Sequence, residues 1–567
     1  MKGWSALAGR TQATVRRLLA LAVLSAQPAA AQSVSYHSFE PPVLTAGGPA
    51  QVLFLAEVTG DPSRVMLDFS PGQVGAATPI DLHDDGRDGD RVAGDRVYSV
   101  LLPSANILNA TKADDVHRVF VGFLNLFNGT TSVFRGNIFT DVYTSEAGRY
   151  PIAQLSPTIQ ATTRLVNIHD PAYFTSGDIA RVTREFYRWF GDDYDFFDIV
   201  YHPARFQNRT HFRVKNEVDG IGISRTNNTA VYGSSGRLAG ISQFPIPGYF
   251  DGAENGHIHE LGHQWINYLG FAPFAVGIPH WPVSSMAGGV MGFSIGGTGG
   301  QGGTFACNVV DQNGTIVLNP RPNEPVYNDL ELYLMGLLPP DQVRQQVVFV
   351  DEAGVLSRGC SGQTYTGAVT RVSAQDVIAR YGSRNPPAGQ APARFRVATI
   401  LVTRDGLAPR EAMWLYSWFV DRAEWRAPVP IHSGFAKQIG MPFYVATGRR
   451  ATLDMRVALA EPDFTMTPTP GTATVAAGAP ATFTISTLPT RRSFDADVAL
   501  SCGPLPSRAS CSFSQPQVRP GADGADVILT VATQDPVTRT APGTYVITVL
   551  GTAGSVQHAT VVSLTVQ

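Results

Sequence analysis

Three of the chain's twelve histidines stand in one short pattern, Gly256-His257-Ile258-His259-Glu260-Leu261-Gly262-His263-Gln264-Trp265. Histidines four residues apart share one face of a helix, so the imidazoles of His259 and His263 can reach a single metal ion. Glu260 can then contact a metal-held water instead of the metal. Zn2+ in such a place lowers the pKa of its water to about 7. Glu260 would take the proton as the hydroxide attacks a carbonyl. His257 lies two residues from His259 and points elsewhere on a helix, which suits a supporting or core role. Ile258, Leu261, Trp265 and Leu269 make a separate apolar face, and Gly270 suits the helix end, so the pattern predicts a half-buried helix running to about residue 269.

A second group follows in Tyr327-Asn328-Asp329-Leu330-Glu331-Leu332-Tyr333-Leu334-Met335-Gly336, which reads as a short helix stopped by Pro339-Pro340. Glu331 sits among apolar residues, where an unpaired carboxylate is costly and a metal would satisfy it. The same Asn328-x-x-Glu331 spacing fits a helix capping box. His280-Trp281 lies in a Gly/Pro-rich loop and could donate a hydrogen bond to a developing oxyanion, as could Tyr327 or Tyr333. The Gly-rich stretch from Ser284 to Gly303 lacks the Gly-Lys-Ser/Thr of a phosphate loop and reads as a wall or lid over a cleft, or as a loose insertion. His169, His202 and His432 stand alone, and no Gly-x-Ser-x-Gly elbow suggests a serine hydrolase.

The segment His259-Glu-Leu-Gly-His263-Gln-Trp resembles the active-site helix of zincin metallopeptidases. The resemblance implies catalytic zinc on His259 and His263 with Glu260 as general base. The metzincin extension, Gly-x-x-His after the second histidine, is absent. That points to a gluzincin-like arrangement, with a third ligand from a later helix. Glu331 is the expected third ligand, with Asp329 and His280 as alternatives, and His280 is otherwise assigned the oxyanion role. The Asn328-to-Gly336 stretch also resembles a segment of uncharacterised bacterial secreted proteins that carry the same helix.

Around these residues lie 567 residues with 43 Lys+Arg against 46 Asp+Glu, a formal net charge of −3. That balance excludes a strongly basic nucleic-acid binder. Charged residues are 16 %, below the roughly 25 % of an average globular protein. Hydrophobic residues are 44 %, enough for large cores. Residues 1–31 read as a secretory signal peptide: Lys2, Arg10, Arg16 and Arg17, a short apolar run from Leu18, then Ala29-Ala30-Ala31. No later segment is apolar enough to span a bilayer, so no membrane span is expected in the mature chain. A secreted, periplasmic or cell-surface location follows. Four cysteines in an exported chain suggest two disulfides, 307–360 and 502–511, each pair within one proposed domain.

Three territories are expected. Residues 33–150 read as a β-sandwich, whose loop Asp84 to Asp95 packs five acids into twelve residues and resembles turns in accessory modules of secreted bacterial proteins. That loop either binds Ca2+ or forms Asp-Gly turns. Residues 151–460 hold the helical signal and the chemistry. In this territory Ile179, Val182, Phe186 and Trp189 keep a helical period, and Phe196 to Tyr201 reads as a buried strand. Residues 463–567 lack Lys and Glu and alternate with period two at Ala481 to Thr487 and Gly543 to Val549. This last stretch resembles bacterial immunoglobulin-like modules appended to secreted enzymes. The fold class expected is multidomain α+β, a zincin-like catalytic domain between an N-terminal β-sandwich and a C-terminal Ig-like sandwich. The function expected is a zinc metalloendopeptidase acting on an extracellular protein or peptide. Rival readings are an adhesion protein with a non-catalytic or regulatory zinc site, and a zinc hydrolase of a non-peptide bond.

Overall fold

The structure is a computed structural model that describes residues 31–69, 79–108, 118–206, 209–295, 301–322, 324–433, 436–490, 494–534 and 538–567. The expected leader over residues 1–31 lies, except for Ala31, outside the described residues. No described helix is long and apolar enough to cross a membrane.

Residues that alternate in burial build two sheet pairs at the ends of the chain. Near the N-terminus, Gln51–Thr59 lies between Ser33–Glu40 and Val97–Pro103. A five-stranded sheet containing Arg118–Asn128 and Thr131–Tyr143 covers it. Phe54, Leu67, Leu124 and Ile138 fill the space between. At the other end, Ala481–Pro489 buries every second residue at its start, as its period-two pattern requires. Its four-stranded sheet packs on a five-stranded one around Phe483, Ile485, Leu529, Ile547 and Leu564. The Cys502–Cys511 disulfide ties a strand of one sheet to a strand of the other.

Between them runs an eight-stranded mixed sheet. Its centre is parallel: Gly240–Phe244, Phe196–His202, Arg394–Thr403 and Leu165–His169, side by side in that order. A parallel strand covered on both faces reads as a continuous apolar run, and Phe196–His202 shows why. Phe196 and Val200 enter one core, while Phe197, Ile199 and Tyr201 enter the other. The second core is closed by the helix Ile179–Tyr187 through Val182 and Phe186. The first is closed by three helices, Asn255–Gly262, Asp329–Met335 and Arg410–Arg422. The first of these three carries His259 and Glu260 and is called the site helix below.

The expected fold class needs correction. Strand makes up 41 % of the structure and helix 17 %, so the chain is mostly β and its middle is not a helical zincin catalytic domain. The sandwich expectations at the two ends agree with the paired sheets. The excess of strand comes from short hairpins inside the middle territory, such as Cys307–Gln312 with Thr315–Pro320 and Gln346–Phe349 with Val369–Val372. The Cys307–Cys360 disulfide closes a loop around the first hairpin and the helix Asp329–Met335. The two disulfides are compatible with an extracellular or cell-surface protein.

Candidate metal centre

The site helix is shorter than its pattern suggested. It ends at Gly262, with His263 as its C-cap, rather than running to residue 269. Two features stop it. Asn267 adopts a left-handed backbone, φ 40°. Arg213, on the edge strand Thr210–Arg213, donates from Nη2 to the His263 carbonyl at 3.0 Å and from Nε to the Gln264 carbonyl at 3.0 Å. A guanidinium at a helix C-terminus satisfies orphan carbonyls and suits the helix dipole. His257 faces the sheet, where its Nε2 meets Asp198 Oδ2 at 3.1 Å with both side chains buried. Asp198 is the one acid in the apolar strand Phe196–His202. Tyr327 donates its hydroxyl to the Ile258 carbonyl. The helix is thus held from the sheet side, from its end and from the segment that carries Tyr327.

Its end brings His259 and His263 together with His280 in a buried cluster. The His259 and His263 Nε2 atoms are 3.2 Å apart, and His280 Nε2 lies 3.3 Å from His259 Nε2. All three ligand nitrogens lie within 4.8 Å of one another. Three nitrogens each about 2.0–2.1 Å from a tetrahedral zinc stand about 3.3–3.4 Å apart, close to the two spacings from His259. Two of the outer nitrogens support the fit. His259 Nδ1 donates to the Val290 carbonyl at 2.9 Å, which leaves its Nε2 lone pair facing the cluster. His280 Nδ1 meets Ser294 Oγ at 3.0 Å. His263 Nδ1 is buried without a hydrogen-bond partner. Burial holds the His259 imidazole down to about 3, helped by the charges of Arg209 and His280, and also pushes His263 and His280 below their ordinary value. Neutral imidazole is the form that binds a cation.

Glu260 is buried beside this cluster. Burial raises its carboxyl to about 7, against the pull of Arg209, whose Nε is 3.7 Å from Oε1. Gly256 makes room for that guanidinium, since a Cβ there would sit 1.8 Å from Arg209 Nη1. His259, Glu260, His263 and His280 are 6 %, 4 %, 8 % and 6 % exposed.

Glu331 does not join the set. Its Oε1 accepts from Trp281 Nε1 at 2.7 Å, and its Oε2 accepts from the Asn328 backbone N–H at 2.7 Å. Asn328 Oδ1 accepts in return from the Glu331 N–H, which completes a capping box. The expectation that Glu331 is the third ligand is therefore corrected in favour of the capping geometry that its spacing also allowed. Asp329 points away as well, paired with Arg344. His280, assigned the oxyanion role from sequence, stands instead where a third ligand would. The Gly-rich stretch is a packed wall over residues 284–294, with Ser284, Met286, Ala287 and Met291 fully buried, and residues 296–300 lie outside the described ones.

The acidic loop of the N-terminal sheets does gather Asp84, Asp90 and Asp95. Their oxygens are taken up by backbone amides. Asp84 Oδ1 accepts from Gly94 and Asp95, Asp84 Oδ2 from Arg96, and Asp90 Oδ2 from Gly86. This is the Asp-Gly turn arrangement, and the Ca2+ expectation gains nothing from it.

Sequence reasoning missed Arg209, Arg213, Ser294 and the Val290 carbonyl, none of which carries a local signal. Asp198 could have been found, because an acid inside an apolar strand calls for a buried partner.

No family model matches the chain, and no curated protein matches it. Among solved structures it is similar to domains 4 and 5 of the S-layer protein SbsC, at 21 % identity over 20 % of this chain and 56 % of that one, TM-score 0.14. It is also similar to S-layer protein rSbsC(31-844), at 9 % identity over 94 % of this chain and 54 % of that one, TM-score 0.15. The chain spans about half the length of these S-layer chains. At such TM-scores the likeness carries no argument about fold or function.

Proposed function

We propose that the protein is a zinc-dependent hydrolase of peptide bonds, with zinc held by His259, His263 and His280. One observation carries the reading: three imidazole Nε2 atoms converge beside a buried glutamate that shares the helix of His259. When bound, zinc supplies the Lewis acidity that brings a water's pKa to about 7. Glu260 takes the proton as the water oxygen adds to the peptide carbonyl carbon. The same carboxyl then hands that proton to the amine as the C–N bond breaks. Arg209, 3.7 Å from Glu260, opposes the rise that burial imposes on this carboxyl without cancelling it.

A second reading is favoured by the deep burial of all three histidines. A closed site suits a non-catalytic zinc in an extracellular binding protein. The test separates the two. Zinc-loaded protein and Glu260→Gln are incubated with an unbiased peptide library, and bound zinc is counted in both. Cleavage by wild type, reduced at least about 100-fold in Glu260→Gln, supports hydrolysis. Equal zinc in both and cleavage by neither supports the second reading. Equal cleavage by both removes Glu260 from the mechanism.

A further inference from the structure

We infer that Glu331 is a positioning residue of the histidine set, acting through Trp281 to hold His280 in place. This rests on the reading of His259, His263 and His280 as metal ligands.

Trp281 follows His280 directly, and its indole is fully buried, as is Glu331. The Glu331 carboxylate bonds in two directions. One oxygen takes the Trp281 indole N–H, and the other takes the Asn328 backbone N–H at the start of the helix Asp329–Met335. That helix is tethered in turn to the site helix, because the Tyr327 hydroxyl bonds the carbonyl of Ile258, the residue before His259. A path of three hydrogen bonds joined by adjacent residues therefore runs from the backbone beside His259, through Tyr327, Asn328, Glu331 and Trp281, to the backbone beside His280. The loop has its own anchors. Trp281 N–H donates to the Gly292 carbonyl at 3.3 Å, Ser294 N–H donates to the Trp281 carbonyl at 3.0 Å, and Asn267 Nδ2 donates to the His280 carbonyl. These anchors fix the backbone of Trp281, and the carboxylate fixes which way its ring lies. A loop residue can present an imidazole to a nitrogen 3.3 Å away only if both are held to a few tenths of an ångström. Groups that hydrogen-bond a ligand directly are worth about 10–100-fold in metal affinity, and this pair, one bond further out, belongs at the low end of that range.

A carboxylate that only caps a helix and fills a core would cost stability when removed and leave the metal geometry alone. The test uses Co2+ as the probe on the full chain, reading its visible absorption band and its affinity, with melting followed by circular dichroism. Trp281→Phe removes the indole donor and keeps the capping box. Its Co2+ affinity is expected to fall about tenfold or more, with a changed absorption band. Asn328→Ala removes the reciprocal cap and keeps the Trp281–Glu331 bond, so it should lower the melting temperature without moving the band. If Trp281→Phe does not fold, Glu331→Gln serves in its place. The amide offers one acceptor where two donors converge, so the path is cut at one end and the affinity should again fall. An unchanged band and affinity in Trp281→Phe would overturn the positioning role while leaving the histidine set standing. An equal change in Asn328→Ala would also overturn it, as a general stability effect. If His280→Ala binds Co2+ as wild type does, the metal reading has failed, and the positioning role goes with it.

Discussion

His280 Nε2 lies 3.3 Å from His259 Nε2, although 21 residues separate them in the chain. One imidazole comes from a helix and the other from a loop, and each has its outer nitrogen held by a separate group, the Val290 carbonyl and Ser294 Oγ. This closeness replaces the expected partnership with Glu331. Single substitutions of His259, His263 and His280 by Ala should each reduce Zn2+ affinity by more than about 100-fold, beyond the usual effect of a supporting residue. Asp329→Asn should leave it unchanged. Isothermal titration with Zn2+ at neutral pH checks this, and a wild-type affinity in His280→Ala would exclude it from the ligand set.

Arg209 places a positive charge 3.7 Å from Glu260, beside the histidines. A dication there is repelled by that guanidinium. Arg209→Gln should therefore bind zinc about three- to tenfold more tightly, a change of about 1 kcal/mol, in line with a partly screened charge pair. Competition with a chromogenic chelator measures it. Weaker binding in the variant would mean that the arginine acts by packing against Gly256 and not by charge.

Acid should loosen the seam between the N-terminal sheets and the mixed sheet. His37 exchanges backbone hydrogen bonds with Ala204 and stacks on Phe206 at 4.3 Å. Burial holds His37 down to about 3, with His202 adding repulsion, and burial holds His202 itself to about 4. Both imidazoles stay neutral in the folded chain, whereas the unfolded chain protonates them below about 6.5. The unfolded state then carries more protons, so stability falls as pH drops from about 6.5 towards 3–4. For His37 the loss is roughly 2 kcal/mol at pH 5. Urea midpoints from pH 7 to 4 should show this slope, and His37→Phe should remove its own share, leaving that of His202, while keeping the stack.

The Cys307–Cys360 bridge spans 53 residues, including the helix of Glu331. Chain entropy sets its worth at up to about 4 kcal/mol. The double variant Cys307→Ala, Cys360→Ala should lower the thermal midpoint by several degrees, and reductant should do the same to wild type. Reductant also opens Cys502–Cys511, so calorimetry with and without it should show a loss in wild type at least as large as that of the double variant.

Features enforced by near neighbours were legible in the residues alone. His259 and His263 share a face because a helix repeats every 3.6 residues. Ala481–Pro489 buries alternate side chains because a strand repeats every two. The Phe196 run is a strand covered on both faces, and the cysteines pair within their own segments. The helical period at Ile179 to Phe186 is present in the structure as well. Each of these depends on contacts a few residues away, or on one strong covalent preference.

Long-range packing settled the rest. The mostly β character was hidden because the hairpins between Cys307 and Val372 are short and half-exposed, so no periodic signal builds up within them. The site helix stops early where Arg213, from a strand fifty residues before, takes the His263 and Gln264 carbonyls just past its end. Glu331 carries the same local pattern whether it holds a metal or caps a helix. The choice was made by where Trp281 came to rest against it, a distance that no spacing along the chain encodes.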